Sequence, residues 1–302
     1  KKDWGFCLNH NDFKKLKKGK YKVLINSTLK NGELIYSDTL IPGKTKKEIL
    51  ISTYLCHPQM ANHELSGPLV WSMLYRILKN TGPHEYTYRF LICPENIGAA
   101  TFLHKNKKNI KNIKDGFVIN CVGHGNEINY KKSRQGNTLS DRAALNVIKN
   151  SKYKFYIEDF EPLGSDERQF CSPGFNMPIG LIMRKRYDGF KEYHTSLDNE
   201  DILSYRTITE SIKIYLDTIK TIENNFIPLG KVQYGVPQLS KSKIPLYRST
   251  SNWKVKKLED RIRIMLQVLN LADGKLDMID IANKKKFKLI DYLDLINDLI
   301  KS

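Results

Sequence analysis

No stretch of this 302-residue chain approaches the roughly 20 apolar residues needed to cross a bilayer, and its first residues, KKDWGFCLNH, have no signal-peptide apolar run. There is no initiator Met, so the chain reads as a fragment of something longer. Cysteine is sparse and never spaced as CxxC, which excludes a zinc ribbon or a redox motif. Cys7, Cys56, Cys93, Cys121 and Cys171 are odd in number, scattered and mostly inside apolar runs, as expected of reduced thiols in a cytoplasm. No internal repeat or low-complexity tract is present. Acidic residues run short, 32 against 50 Lys plus Arg, for a formal charge of +18. That balance favours acidic partners, nucleic acid first. The lysines are nevertheless spread through runs such as KKLKKGK, HKNKKNIKN and KKKFK, and they read mainly as solvated surface.

With 40% hydrophobic and 10% aromatic residues the chain can bury one large core and a smaller second one. Residues 20–54 alternate apolar and polar positions around the turn signals KNGE and IPGKT, a pattern of β-hairpins. From residue 47 the rhythm changes. Strand-like ILISTYLC, YTYRFLIC, GFVINCVG and PIGLIMR are separated by the helical SGPLVWSMLYRILKN, NIGAATFLHKN and LSDRAALNVIKN, and a long helix is predicted from Asp201 to the stop at NNFIPLG. Strands joined by helices of this length need crossover connections and a largely parallel sheet. Beyond a polar linker, YGVPQLSKSKIPLYRSTSN, three short amphipathic elements make a small helical domain.

Each sheet strand ends on a group able to bind metal or move protons. ILISTYLC leads to His57 and to His63 in MANHELSGP, YTYRFLIC leads to Glu95, and GFVINCVG leads to His124. His194 lies in EYHTSLDNED before the last long helix. Four of the seven histidines therefore fall in turns at the carboxyl edge, where α/β sheets place their ligands. Any one of them alone reads as an ordinary polar loop residue. Together they suit catalytic zinc, which takes three protein ligands and a water, with a nearby carboxylate to accept the proton.

LCHPQMANHELSGP, CPENIGAATFL, NCVGHGN, GSDERQFCSPGFNMP and EYHTSLDNEDIL together resemble the bacterial proteins described as having an aminopeptidase-like domain, relatives of the di-zinc exopeptidases of the bacterial leucyl aminopeptidase type. The resemblance runs from about Trp4 to the C-terminus. It implies an α/β three-layer sandwich with a mixed, largely parallel sheet, a remnant of a small β insert over residues 1–45, an aminopeptidase-like domain over 46–230, and a winged-helix domain over 236–302. Position by position it implies that His57 and His194 bind metal and that Glu95, the first Glu of an EE.G signature, is the general base. Asn96 stands where the second Glu would bind metal. Two acidic ligands of the pattern are replaced, by His63 in ANDxLSGP and by His124 after C(I/V)G.

A bridging carboxylate offers two oxygens and a charge, whereas a neutral imidazole offers one lone pair. One zinc ion, not two, is therefore expected, held by some three of His57, His63, His124 and His194. Glu64 is expected to face away, because adjacent side chains of an extended turn point to opposite sides. Ser165, Asp166, Glu167 and Arg168 resemble the family segment that lines the substrate pocket, with Arg184 and Tyr193 as further candidates there. An Asp166–Arg168 ion pair is the structural alternative. Asp198 is expected to orient His194, and Asp201 to cap the helix beginning there.

Two functions follow. One is zinc-dependent hydrolysis of a small amide or peptide-like substrate. The other is an inactive aminopeptidase-like scaffold that binds or regulates, nucleic-acid-associated through its basic tail. Replacement of two ligands by another zinc-binding residue favours the enzyme. The acidic residues of KFKLIDYLDLINDLIK, in the presumed recognition region, disfavour nucleic acid.

Overall fold

The computed structural model describes residues 5–57, 59–235, 237–239 and 256–301. Among them, seven strands form one mixed sheet: β1 (Ser37–Ile41), β2 (Glu48–Tyr54), β3 (Thr87–Cys93), β4 (Ile113–Ile119), β5 (Glu127–Lys131), β6 (Lys154–Glu158) and β7 (Ile179–Met183). Their order is β1-β3-β2-β4-β7-β5-β6. β2, β3, β4 and β7 run parallel, as the crossover pattern predicts, whereas β1 is antiparallel to β3 and β5 to β7. The hairpins expected over residues 20–54 do not form. β2 is buried along its whole length and takes a central place, while β1, buried only at Ile41, suits an edge, so both pair with β3 and not with each other. Arg89 of β3 joins the three strands, reaching Glu48 Oε2 and Asp38 Oδ2 at 2.6 Å each. β5 (EINYK) and β6 (KFYIE) were not predicted: both are short, and their charged ends hide the alternation.

Helices cover both faces. After α1 (His10–Lys15) come α2 (Ser66–Thr81), α3 (Ile97–Lys105), α4 (Leu139–Lys149), α5 (Glu167–Phe170) and α6 (Tyr205–Glu223). Ile49 and Ile51 point with Phe90, Phe117 and Ile119 toward α2, α4 and α6, while Leu50 points with Leu91, Val118 and Leu181 toward α3 and α5. This period-two split of the central strands makes the three layers. α6 presents Ile208, Ile214, Tyr215, Ile219 and Ile222 to the core, and the Tyr215 hydroxyl lies 3.1 Å from Val118 O and 2.8 Å from Ile182 O, tying the helix to β4 and β7. Its N-cap is Ser204, whose hydroxyl accepts the Thr207 N–H. Asp201 does not cap this helix; it sits in the preceding 3-10 turn. Of the cysteines, Cys93, Cys121 and Cys171 are buried, and Cys7 and Cys56 are exposed.

The predicted linker lies mostly outside the described residues. Beyond it, α7 (Lys256–Leu271), α8 (Met278–Lys285) and α9 (Leu293–Lys301) form the helical unit. Its core is continuous with that of the sheet domain. Polar contacts fix the junction. Arg142 Nη1 of α4 lies 2.7 Å from Asp277 Oδ2 and 2.8 Å from Asp280 Oδ1, Lys288 Nζ lies 2.7 Å from Asp217 Oδ2, and the Asn146 amide donates to Phe287 O and accepts the Leu289 N–H. No helix among the described residues is long and apolar enough to cross a membrane.

Because two carboxylates at this half-buried junction share one guanidinium, Arg142→Ala is expected to cost about 1.5–3 kcal/mol, the range for hydrogen bonds to charged groups. Calorimetry should show the helical unit melting first. An unchanged scan would mean that apolar contact alone holds the junction.

Candidate metal centre

The site is assembled where β2 and β4 end. After Tyr54 the chain passes Cys56 and His57 and then makes one π-helical turn, Ala61–Leu65, that runs directly into α2. Gly67 allows this: a Cβ there would sit 2.5 Å from Thr53 Oγ1 and 2.6 Å from Ile119 O. The N–H groups that open the turn are taken by Asp198, which is fully buried. Its carbonyl accepts the Ala61 N–H at 3.0 Å, Oδ1 accepts the Asn62 N–H at 2.7 Å and Oδ2 accepts the His63 N–H at 3.0 Å. The Tyr54 hydroxyl donates to His63 O at 3.1 Å. From the other side, the Asn62 side chain accepts the Gly123 N–H and Ser66 Oγ accepts the Val122 N–H, binding the β4 turn to the same segment.

His57, His63 and His194 converge, with one ligand atom from each lying within 4.8 Å of the others. Ring centroids are 4.9 Å apart for His57–His63, 4.7 Å for His63–His194 and 5.6 Å for His57–His194. Tyr193 stacks on His194 at 3.9 Å and meets the edge of His63 at 4.9 Å. Burial, together with the neighbouring His194 and His57, pushes His63 down to about 3, and burial lowers His194 as well. Both shifts, of His63 and of His194, favour the neutral imidazole, whose lone pair is the metal donor. His63 Nδ1 is buried and has no hydrogen-bond partner among the described residues. A buried ring nitrogen without a partner, on a histidine that belongs to this cluster, fits a metal ligand.

Cys56, His57 and Glu64 form a second group of potential donors. Here the polar atoms already satisfy one another. His57 Nδ1 is 3.0 Å from Glu64 Oε2 and 3.2 Å from Cys56 Sγ, and Glu64 Oε1 accepts the Cys56 N–H. Glu64 was expected to face away, on the premise of an extended turn. In a helical turn successive side chains diverge by far less than 180°, so His63 and Glu64 both reach His57.

Glu95 lies beside the histidines, its Oε2 3.9 Å from His57 Nε2. Burial raises its pKa, against the Ser165 hydroxyl and His57, which lower it. His124 is not part of the convergent group: its Nδ1 is 2.9 Å from Ile202 O and its ring packs on Phe190. Nor does Arg184 offer its charge to a cleft; it is buried against Glu210 at 3.1 Å and over the Tyr153 ring. Arg168 donates to Asn96 Oδ1 at 2.9 Å and forms no ion pair with Asp166. Glu167 is paired with Lys131 Nζ at 2.8 Å in a fully buried bridge. Asp166 accepts the Asn96 N–H at 2.6 Å, and burial lifts its carboxyl to about 8. Ser165 is buried next to it. Asp198 was expected to orient His194 through a ring nitrogen, but its carboxylate holds the His63 turn instead. Tyr54 was missed: its position at the end of an apolar strand was the available signal.

Left-handed backbone gathers around the same edge. Of the non-glycine residues with positive φ, Gln59 (66°), Asn96 (60°), Cys121 (48°) and His194 (56°) lie in the segments that carry or adjoin the cluster. Such conformations cost about 1–3 kcal/mol each and persist where the surroundings impose them.

Asp166 supplies a test. Its carboxyl sits near 8 folded against an ordinary value of 3.8, so between about 4 and 8 the folded state keeps a proton that the unfolded chain has released. Its contribution is complete below that window and is lost as pH rises through it. Asp166→Asn does not titrate, so its stability relative to the unaltered protein should climb from pH 4 to pH 8 in denaturant unfolding. A flat difference would show that Asp166 is ionised.

Residues 4–225 match DUF4910, a domain of unknown function, and residues 227–302 match a winged helix-turn-helix family. A candidate polysaccharide biosynthesis protein with an aminopeptidase-like domain from Clostridium acetobutylicum is 40% identical over 294 residues, 97% of this chain; the chain spans 66% of that relative's length. The crystal structure of a candidate peptidase from Clostridium acetobutylicum superposes with a TM-score of 0.85 at 37% identity, over 100% of this chain and 68% of that one. A zinc aminopeptidase from Bacillus subtilis shares the fold at 15% identity, with a TM-score of 0.50 over 61% of this chain and 48% of its own. The chain thus belongs to the DUF4910 family, followed by a winged helix-turn-helix, and is similar to a bacterial protein described as having an aminopeptidase-like domain.

Proposed function

We propose that this protein is a zinc-dependent hydrolase of an amide or peptide bond, with one zinc held by His57, His63 and His194. The orphaned, buried Nδ1 of His63 within the convergent imidazoles carries the reading. Three imidazole nitrogens match the donor set of a mononuclear site, and His63 standing where the family pattern has an Asp argues against a second ion. Zinc in such a place supplies Lewis acidity toward a carbonyl and lowers the pKa of a water. Glu95 takes the proton of the attacking water and returns it to the leaving amine. Burial, which raises its pKa, brings it closer to the working range of a general base. Tyr193, stacked on His194, gives the site an aromatic wall. The Clostridium relative is described as a polysaccharide biosynthesis protein with an aminopeptidase-like domain, which supports a small amide or peptide-like compound as the substrate class.

Emission spectrometry on protein purified without added metal should find about one equivalent of zinc, lost in His63→Ala and kept in His124→Ala. Glu95→Gln should keep the metal and lose about 10² to 10⁴ in rate, the usual share of a general base. Two equivalents, or zinc lost with Glu95→Gln, would remove this arrangement.

The winged helix serves packing in this reading, not nucleic-acid recognition. α9 carries Asp294 and Asp298, and α8 is buried at Met278, Ile279, Ile281 and Ala282. Fluorescence anisotropy should find only weak DNA affinity that collapses between low and physiological salt. Tight, sequence-selective binding at physiological salt would overturn it.

A further inference from the structure

We infer that Glu64 is a positioning residue that sets which nitrogen of His57 faces the cluster, by accepting the Nδ1–H and leaving the Nε2 lone pair for a metal. The inference rests on the metal reading above for its purpose, but the tautomer it asserts is a property of the chain itself.

Glu64 is almost fully buried, and each of its oxygens has a defined donor. Oε1 takes the Cys56 N–H, and Oε2 lies 3.0 Å from His57 Nδ1. With Oε1 accepting a backbone N–H, Oε2 of the same carboxyl group serves as the second acceptor, which places the hydrogen of the 3.0 Å contact on Nδ1. Cys56 Sγ, 3.2 Å from the same nitrogen, competes for it weakly: it already accepts the Glu95 N–H at 3.3 Å, and sulfur is a poor partner beside a carboxylate. The remaining nitrogen, Nε2, is the one that lies toward Glu95 at 3.9 Å. The second group of donors is therefore a support for the first and not a competing metal site. Carboxylates hydrogen-bonded behind ligating histidines fix ring orientation and raise ligand basicity, and their loss typically costs 10- to 100-fold in metal affinity.

The placement follows from the π-helical turn. His57 and Glu64 are seven residues apart in the chain, and the helical path through Ala61–Leu65 presents Glu64 to His57 while His63 joins the cluster. Asp198, which caps that turn, is thus required for the position of Glu64 as well as for that of His63.

Imidazole nitrogen NMR on the metal-free, unaltered protein tests the tautomer directly. His57 should be protonated at Nδ1, and protonation at Nε2 overturns the inference. Titration calorimetry with zinc on Glu64→Gln should then show affinity lower by about 10- to 100-fold. The amide is a weaker acceptor, and the Cys56 N–H competes for its single oxygen. The metal-free melting temperature of Glu64→Gln should stay close to that of the unaltered protein, separating a positioning effect from a folding defect. Unchanged zinc affinity in a folded Glu64→Gln overturns the role. With cobalt in place of zinc, a thiolate charge-transfer band that disappears in Cys56→Ser would also overturn it, because it would put the metal on the Cys56 side of the ring. Failure of the unaltered protein to bind zinc would instead defeat the metal reading, whatever the tautomer of His57.

Discussion

One buried carboxylate organises the candidate site. Asp198 belongs to the segment that carries Tyr193 and His194, yet both its side-chain oxygens are used on backbone N–H groups of the turn that carries His63. An anion at the start of a helical turn meets the positive end of the local peptide dipoles, and hydrogen bonds to a charged acceptor contribute about 1.5–3 kcal/mol each. Burial removes the competing water, so the donors and the anion depend on one another. Two loops far apart in the chain are locked together in this way before any ligand is considered. The approach of His63 to His194, and the π-helical path that brings Glu64 to His57, both hang on this link.

The sheet order explains why chemistry collects at one edge. β2 and β4 are adjacent and parallel, so the segments after both leave on the same side, and β3 adds Glu95 there. Strand ends with apolar interiors and polar exits are readable in a linear sequence, which is why His57 and Glu95 could be named from it, whereas His194 rests on the EYHTSLDNED stretch before the last long helix and on the family resemblance. Element type was equally legible for the central strands, whose apolar runs are long. What failed was local geometry. The hairpin pattern of residues 20–54 could not say that β2 would be claimed by two parallel neighbours. The stretch ANHEL gave no sign of a π-helical turn, so the direction of Glu64 was inverted. His124 follows its strand as predicted, yet Ile202 O, in the segment before α6, takes its Nδ1, a contact separated by 78 residues. Arg184 likewise went to Glu210 of α6. Long-range partners of single polar side chains are set by packing and leave no periodic trace.

The junction with the winged helix belongs to the same accounting. A single apolar core extends from Ile51 and Phe117 through α4 and α6 to Met278, Ile281 and Leu289. The polar contacts around it use Asn146 and Asp217, which face the helical unit from α4 and α6. α8 contributes Met278, Ile279, Ile281 and Ala282 to this core and leaves Asp280, Asn283, Lys284 and Lys285 outside it.

The left-handed residues around the cluster bear on how this protein can be improved or can drift. Gln59, Asn96, Cys121 and His194 hold conformations that glycine adopts without a steric cost. A laboratory selection for heat resistance would therefore find some of its easiest gains at the positions that shape the histidine cluster, and would erode the cluster as it went. Thermostable descendants of this chain are better sought among exposed helix positions, such as those of α2 and α6, where rigidity and chemistry do not compete.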